Sequence, residues 1–382
     1  MKISAINYSQ FDRDPREWKI QNFALREINL LVGRNAVGKS KALAIINNLA
    51  LLLSTPGKLP YVTGNYDVTF KHNGACVKYI LVYEDKKIIH EEFSSNGKKY
   101  LERREGGTGK IFAEKENKFI DFQTPEDELA AVARRDSLQH SFFEPLYNWS
   151  KSVLFYPFST HLGKESFAVL VKDLKIEFDL HRTDQLIPFF RQGTREFGEP
   201  FTEAIKHDMA EIGYEIEDVG VSRPTTLVLS SSMPLPGEFV GMYVKERDLN
   251  APTEQTDISQ GMFRALSILI QLNYSRMAGK QSCILIDDIG EGLDFERSCA
   301  LIELLMRKAS ESSVQLIMST NDRFVMNTVP IETWSVLERK GGLIKVHNYS
   351  NSKETFDKFK FTGLSNFDFL AFDFIKEGQK EG

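Results

Sequence analysis

One octapeptide constrains the fold of this chain more than any other segment. Gly33-Arg-Asn-Ala-Val-Gly-Lys-Ser40 matches the pattern GxxxxGK(S/T), between the apolar run Ile28–Val32 and a helical pattern from Lys39 to about Leu53. In that setting the glycines let backbone N–H groups curl around a phosphate, and the start of the helix favours its negative charge. The segment therefore predicts a phosphate-binding loop between a strand and a helix.

The residues of this loop are expected to bind a nucleotide. Lys39 would reach the β and γ phosphates and act in catalysis, and Ser40 would bind Mg²⁺. A glycine-rich turn with an incidental lysine is the alternative interpretation of the same pattern. The predicted nucleotide-binding residues are Gly33, Arg34, Asn35, Ala36, Val37, Gly38, Lys39, Ser40 and Lys41.

A second motif consists of an apolar run that ends in two carboxylates, Cys283-Ile-Leu-Ile-Asp287-Asp288. Strands buried in a parallel sheet read as continuous apolar runs, and ligands bind beyond their carboxyl ends. We expect Asp287 to hold Mg²⁺ and Asp288 to face the attacking water. The alternative is an apolar strand that simply ends in an acidic turn. The presence of the phosphate-binding loop in the same chain favours the metal site over this alternative.

The segment Ile258-Ser-Gln-Gly-Met262 precedes that strand and opens a long helical pattern. It resembles the signature loop of ABC-type ATPases, usually written LSGGQ, and Gly290-Glu-Gly-Leu-Asp294 stands where that family has its D-loop. A serine N-cap followed by glycine is by itself a common helix start. The order of all three motifs resembles the RecF/SMC-like branch of this family, especially the compact prokaryotic ATPases of anti-phage defence operons.

This resemblance implies an α/β fold, that of an ABC-ATPase head (P-loop NTPase), with an antiparallel β subdomain and a helical insertion. It implies ATP and Mg²⁺ as cofactors and a homodimer with two ATP molecules in its interface. Ser259, Gln260 and Gly261 of one subunit would contact the γ-phosphate held by the other. The output would belong to a partner effector protein, a nuclease or a toxin. The implied segments are an N-terminal ATPase lobe (1–160), the helical insertion (161–225) and a C-terminal ATPase lobe (226–382).

Two positions depart from the family pattern. Asp288 stands where the family usually has Glu, and Leu316-Ile-Met-Ser-Thr-Asn321 ends in Asn where the family usually has His. Asn321 can donate a hydrogen bond to a γ-phosphate but carries no charge. We therefore predict slow hydrolysis, with Lys39, Asp288 and Asn321 as the catalytic residues.

Hydrophobic periodicity and turn residues predict the elements around these motifs. The segment from Tyr66 to Phe122 has short β-rich runs separated by Asn-Gly and Gly-Gly turns, which indicate antiparallel strands. Helices are predicted in 126–149, 163–218, 259–279 and 296–308, and further strands in 2–8, 18–25, 27–32, 152–156, 226–229, 239–244, 283–286, 314–318 and 334–346.

Two groups of polar residues in the first third of the chain could bind ligands, but another interpretation is favoured for each. Tyr8, Arg13 and Arg16 could contact adenine or phosphate, but surface positions are the favoured interpretation. Basic residues around 98–110 could contact nucleic acid, but acidic residues alternate with them, so a solvated mixed-charge hairpin is favoured. This second group comprises Lys98, Lys99, Arg103, Arg104 and Lys110 with Glu91, Glu92, Glu102 and Glu105.

Bulk composition narrows the functional classes. The net charge of −5 gives no support to a protein that coats nucleic acid, although a RecF-like repair ATPase that clamps DNA directly remains the alternative function. The N-terminus carries charges where a signal peptide needs an apolar run, and the apolar stretch Ala42–Leu53 is too short to span a membrane. Three cysteines without paired spacing favour reduced thiols. We therefore expect a cytoplasmic protein.

Overall fold

The computed structural model describes residues 1–57, 59, 61–170, 183–226 and 237–375. The chain forms two compact units. The first is built from Met1–Val153, Cys283–Leu285 and Gln315–Gly382, and the second from Leu154–Ser282 and Ile286–Val314. These two compact units do not test the three segments predicted from the sequence, so that division stays a prediction.

Most of the predicted strands are present, with ends shifted by one or two residues. Their bounds are β1 Lys2–Gln10, β2 Trp18–Ala24, β3 Ile28–Val32, β4 Gly64–His72, β5 Ala75–Glu84, β6 Lys87–Ser95, β7 Lys98–Arg104, β8 Thr108–Ala113, β9 Lys118–Gln123, β10 Val153–Pro157, β11 Ala168–Leu170, β12 Ile216–Ser222, β13 Glu238–Glu246, β14 Thr253–Glu254, β15 Ser282–Asp287, β16 Val314–Ser319, β17 Trp334–Lys340 and β18 Leu343–Asn348. In the described ranges, a 14-stranded sheet has the order β10-β15-β16-β3-β17-β18-β2-β1-β4-β5-β6-β7-β8-β9.

The described residues form ten α-helices. Their bounds are α1 Lys39–Ser54, α2 Ala130–Ala133, α3 Glu144–Lys151, α4 Leu186–Phe197, α5 Glu199–Glu211, α6 Gln260–Met277, α7 Phe295–Ser310, α8 Arg323–Thr328, α9 Lys353–Lys360 and α10 Asn366–Ala371. The helical pattern predicted over 126–149 is broken into α2, a 3₁₀ turn at Ser141–Phe143, and α3. The described residues contain no helix that is both long and apolar enough to cross a membrane.

The strand that precedes the phosphate-binding loop lies inside the sheet. β3 is parallel to both of its neighbours, β16 and β17. β15 and β16 are buried at every position, which is typical of strands covered on both faces. Since parallel strands end at the same edge of a sheet, Gly33 after β3 and Asn321 after β16 lie near one another.

The antiparallel subdomain contains a buried ion pair, so the predicted solvated hairpin is wrong at Glu91 and Arg103. Both side chains are 0% exposed and lie 3.5 Å apart. The Glu91 carboxylate accepts hydrogen bonds from the Tyr79 hydroxyl and from the backbone N–H groups of Ala130 and Ala131, at 2.9, 2.7 and 2.9 Å. Burial nevertheless raises the pKa of Glu91 above its usual value. The pair anchors the start of α2 to β6.

The surface position favoured for Tyr8 is also wrong. Its side chain is buried, and its ring centroid lies 4.6 Å from that of Tyr66 and 6.2 Å from that of Trp18. Arg13 and Arg16 are exposed as expected, and Arg16 is paired with a neighbouring carboxylate, Asp14. Tyr8 is thus part of the core of the first unit.

The second unit has its own small sheet and a group of helices. β13 pairs antiparallel with β11, β12 and β14. The predicted helical insertion (163–218) contains α4 and α5, but it begins and ends in strands; residues 171–182 lie outside the described part, as does most of the strand predicted over 226–229. Asp208 on α5 forms a buried ion pair with Lys308 on α7 at 2.7 Å, and Asn273 on α6 donates to the same carboxylate at 2.6 Å.

Candidate active site

The phosphate-binding loop has a backbone that only particular residues can adopt. Gly33, Ala36 and Gly38 have positive φ values of 152°, 63° and 107°. A Cβ atom on Gly33 would lie 2.8 Å from the carbonyl oxygen of Leu337 on β17, so a larger residue has no room there. The sequence motif is therefore built into a tight loop that leads directly from β3 into α1.

Lys39 and Asn321, two of the predicted catalytic residues, meet at this loop. The Lys39 ammonium donates to the carbonyl oxygens of Gly33 and Arg34 at 3.0 and 3.4 Å, and to the Asn321 Oδ1 atom at 2.8 Å. Lys39 is only 6% exposed. A cation held in this way at the start of a helix suits an anionic phosphate, which can replace carbonyl oxygens as its partner.

The other loop residues differ in exposure. Arg34, Asn35, Ala36 and Ser40 are exposed, whereas Val37 is buried and Gly38 is half-buried. Arg34 is 3.6 Å from the Asp373 carboxylate, which lies beyond α10. Ser40 thus lies at the surface of the loop, and its role in binding Mg²⁺ stays a prediction.

Lys41 is held beside the loop rather than extended into solvent. Its ammonium lies 4.3 Å from the centroid of the Trp18 ring. Burial lowers the pKa of Lys41, and the nearby Arg339 cation lowers it further. Arg339 donates to the Ala36 carbonyl at 3.2 Å, so the β17–β18 hairpin also supports the phosphate-binding loop. Sequence reasoning did not identify Arg339 or Trp18.

The signature residues lie at the start of α6 in the second unit. Ser259 is the exposed N-cap, and its Oγ atom accepts from the Met262 backbone N–H at 3.2 Å. Gly261 is buried against the D-loop, because a Cβ atom there would lie 2.3 Å from the Gly292 carbonyl oxygen. The Gln260 side-chain amide donates to the Thr160 carbonyl at 3.3 Å. The predicted signature loop and D-loop are therefore in direct contact.

Arg264, one turn into α6, joins three segments of this unit and was missed in the sequence. Its guanidinium donates to the Glu291 carbonyl at 2.6 Å and to the Thr160 carbonyl at 3.2 Å. Burial lowers the pKa of Arg264. The available signal was a single cation inside the apolar run from Met262 to Ile270. Arg264 fixes the D-loop backbone against the signature helix.

The acidic pair lies at the end of β15. Asp287 is 6% exposed, and its backbone carbonyl accepts from the Phe158 N–H at 3.0 Å. Asp288 is half-exposed and has a left-handed backbone with a φ of 56°, a conformation that Asp adopts more readily than most residues. The two carboxylates therefore differ in exposure, and their roles in metal binding and water activation stay predictions.

One family of known proteins matches most of this sequence. Residues 28–327, more than half of the chain, match the family described as "AAA domain, putative AbiEii toxin, Type IV TA system". No curated protein matches the sequence.

Solved structures of SMC heads have a similar fold. The SMC head bound to the C-winged helix domain of ScpA is 11% identical with a TM-score of 0.51, and the match covers 91% of this chain and 97% of that one. An SMC head with an extended coiled coil, bound to the C-terminal domain of ScpA derived from Pyrococcus furiosus, is 9% identical with a TM-score of 0.51, covering 94% and 99%. The predicted α/β head fold is confirmed.

Proposed function

We propose a function from the premise that this chain belongs to the AAA_21 family and is thus a P-loop ATPase of the SMC/ABC type. It binds ATP, dimerises around two nucleotides and hydrolyses them slowly. The nucleotide-bound dimer controls a partner effector, a nuclease or toxin, in prokaryotic anti-phage defence. The observation that carries this proposal is the buried Lys39 ammonium, held by the phosphate-binding loop and Asn321.

The surroundings of Lys39 fit the triphosphate of a nucleotide. The loop offers a cation and a helix N-terminus in one place, and both favour negative charge. ATP would supply the phosphoryl group that is transferred to water. The ligands proposed for Mg²⁺ are the Ser40 hydroxyl and the Asp287 carboxylate, since hydroxyl and carboxylate oxygens are ligands that this ion prefers.

Exposure of the signature serine supports a dimer. Ser259 caps α6, so its hydroxyl lies at the positive end of an 18-residue helix, where an anion is favoured. Nucleotide held by the phosphate-binding loop of a second subunit would be that anion. A chain that carries both half-sites forms a closed pair with two-fold symmetry and two composite sites.

Slow turnover follows from two side chains. Asp288 is one methylene shorter than glutamate, and displacing a catalytic group by about 1 Å can cost on the order of a hundredfold in rate. Asn321 stabilises developing negative charge with a dipole rather than a cation. Neither of these departures from the family pattern weakens the binding of ATP by Lys39. Slow hydrolysis suits a switch that stays ready for a signal better than a motor.

The proposed partner is supported by the comparisons and not by particular residues of this chain. The two similar SMC heads were each solved with a ScpA domain bound, and the family description names a toxin. We place the effector contact on the helical insertion (163–218), which contains none of the ATPase sequence motifs. Charge reversal at two exposed positions of α4, Arg191→Glu with Arg195→Glu, should then spare ATP binding and weaken capture of the partner. Unchanged capture would move the contact elsewhere.

The dimer is tested by Ser259→Arg, which places a bulky side chain at the signature. ATP binding to the monomer should persist, and light scattering should show no closure of the dimer. The matched control is Ser365→Arg, which removes another exposed serine N-cap, that of α10. Normal closure of the Ser259 variant, or failure of both variants, would contradict the trans arrangement.

A further inference from the structure

One edge of the 14-stranded sheet is open to pairing with a further strand. In the part of the chain that the structure describes, β9 ends the order of strands and is paired with β8 alone. The pairing runs from Lys118 to Gln123 without a bulge, and β9 contains no proline, so two of the devices by which proteins block sheet edges are absent from it. At one end, the Arg134 guanidinium donates to the Gln123 carbonyl at 2.6 Å. The open part of the edge therefore lies before Gln123.

The backbone of this open part is available for hydrogen bonds. The Thr124 N–H donates to the Gly107 carbonyl at 3.0 Å, so these two residues form a hydrogen-bonded pair that continues the β8–β9 ladder. Because bonded and non-bonded pairs alternate in an antiparallel ladder, the N–H and C=O groups of Phe119 and Asp121 point away from β8. Among the described residues, no group forms a hydrogen bond with them. Each of the two residues thus offers one donor and one acceptor to an added strand.

A row of aromatic rings crosses the sheet and ends at this edge. The rings of Tyr100, Phe112 and Phe119 follow one another across β7, β8 and β9, with centroids 5.7 and 5.4 Å apart. The outermost side chain, that of Phe119, is 48% exposed. An added strand would continue this row with an aromatic or apolar side chain opposite Phe119, since such cross-strand pairs stabilise sheets.

A row of charges that alternate in sign lies on the same face. Glu102 on β7 is opposite Lys110 on β8, and Lys110 is opposite Asp121 on β9. Asp121 is exposed and ends the row with a negative charge. Opposite charges stabilise a cross-strand pair and like charges destabilise it. The residue of an added strand that faces Asp121 should therefore be lysine or arginine.

The row on the other face is apolar. Leu101 is opposite Ile111, and Ile111 is opposite Ile120. The first two side chains are fully buried, whereas Ile120, at the edge, is half-exposed. Because side chains alternate between the faces of a strand, the residue between the basic and the aromatic position of an added strand should be apolar.

We infer that β9 binds an extended segment of another protein, which pairs antiparallel with it and carries a basic, an apolar and an aromatic residue in succession. These three residues face Asp121, Ile120 and Phe119. A second copy of this chain does not fit, because a two-fold pair of β9 strands brings only Phe119, Asp121 or Gln123 of the other copy opposite Asp121, and none of these is basic. Nine strands separate β9 from β3 and its phosphate-binding loop, so this surface is distinct from the ATP site.

The probe is a short synthetic peptide with lysine, valine and phenylalanine in succession and threonine at the flanking positions. It should bind the unmodified full chain and slow amide hydrogen exchange in the segment that contains Phe119 and Asp121. Methylation of the backbone nitrogens of its lysine and phenylalanine should abolish binding, because these N–H groups face β9. Methylation of its valine nitrogen, which faces away, should change the affinity by less than about twofold.

Charge exchange tests the chemistry of the segment. Asp121→Lys should weaken binding of the lysine peptide roughly 2- to 10-fold and strengthen binding of a peptide with glutamate in place of lysine by a similar factor. The matched control is Glu102→Lys, the same change on the same face but two strands from β9. That position is about 14 Å from an added strand, which exceeds the Debye length in physiological salt, so both affinities should stay within about twofold. Both variants should bind ATP as the unmodified protein does.

Three results would overturn the inference: no binding of the lysine peptide to the unmodified chain, equal effects of the two charge variants, or equal binding of the two methylated peptides. A fall in the solution mass of the peptide-free protein from two chains to one in Asp121→Lys would also overturn it, because a second copy would then occupy β9. If Asp121→Lys does not fold, the methylated peptides decide the outcome, since they require no change in the protein.

Discussion

Gly261→Ala should separate the signature loop from the D-loop while leaving ATP binding intact. The added Cβ atom would lie 2.3 Å from the Gly292 carbonyl oxygen and 2.9 Å from the Leu293 side chain. Relief of the backbone contact requires a shift of about 1 Å, and a shift of that size in a catalytic contact can cost on the order of a hundredfold in rate. Overpacking should also lower the free energy of unfolding by about 1–3 kcal/mol.

The assay is release of ADP under saturating ATP, with ATP affinity measured on the same sample. We expect kcat to fall by roughly a hundredfold and affinity to stay within a factor of about two, since Lys39 is untouched. The control is Gly279→Ala just after the same helix, where no atom lies within 4 Å but φ is +62°. Gly279→Ala should lower the free energy of unfolding by about 1–2 kcal/mol and leave the rate of ATP hydrolysis unchanged. Turnover of Gly261→Ala near the wild-type rate would refute the contact.

Three further predictions concern other residues. Lys39→Ala should abolish binding of a fluorescent ATP analogue, because it removes the cation at the phosphates, and undiminished binding would refute the site. Lys308→Ala should lower the free energy of unfolding, measured in urea, by about 3–5 kcal/mol, because Asp208 is left buried without its cation. The control is Lys245→Ala, which breaks the more exposed pair of Lys245 and Glu217 and should cost about 1 kcal/mol or less. Asp288→Glu should speed hydrolysis and Asp288→Asn should keep the ATP-bound dimer closed, and unchanged turnover in Asp288→Asn would remove its proposed role.

The elements with a clear periodicity could be predicted from the sequence. β15 and β16 are buried at every position and mostly apolar, and three of the turns between β4 and β9 are Asn-Gly or Gly-Gly. The roles predicted for Lys39 and Asn321 place both near one phosphate, and the parallel pairing of β3 with β16 brings the two side chains together. Local patterns therefore predicted the parts of the site that lie at the ends of regular strands.

Contacts that do not lie at the ends of neighbouring strands could not be predicted. Nothing in a run of alternating charges distinguishes Glu91 and Arg103 from solvated neighbours, because their burial depends on α2 folding over β6. Arg297 on α7 reaches Tyr214 and Gly213 only because α7 packs beside the end of α5. The helix α10 was missed despite a visible signal, since Ser365 and Asp368 form a capping box.

ATP should close a dimer of this chain, and the mass of the protein in solution measures that closure directly. Light scattering of the unmodified protein should give the mass of one chain without nucleotide and of two chains with ATP and Mg²⁺. The Lys39→Ala protein should stay at one chain in both conditions, because it cannot hold the nucleotide that the signature serine contacts. A mass that is the same with and without ATP in the unmodified protein would contradict the account.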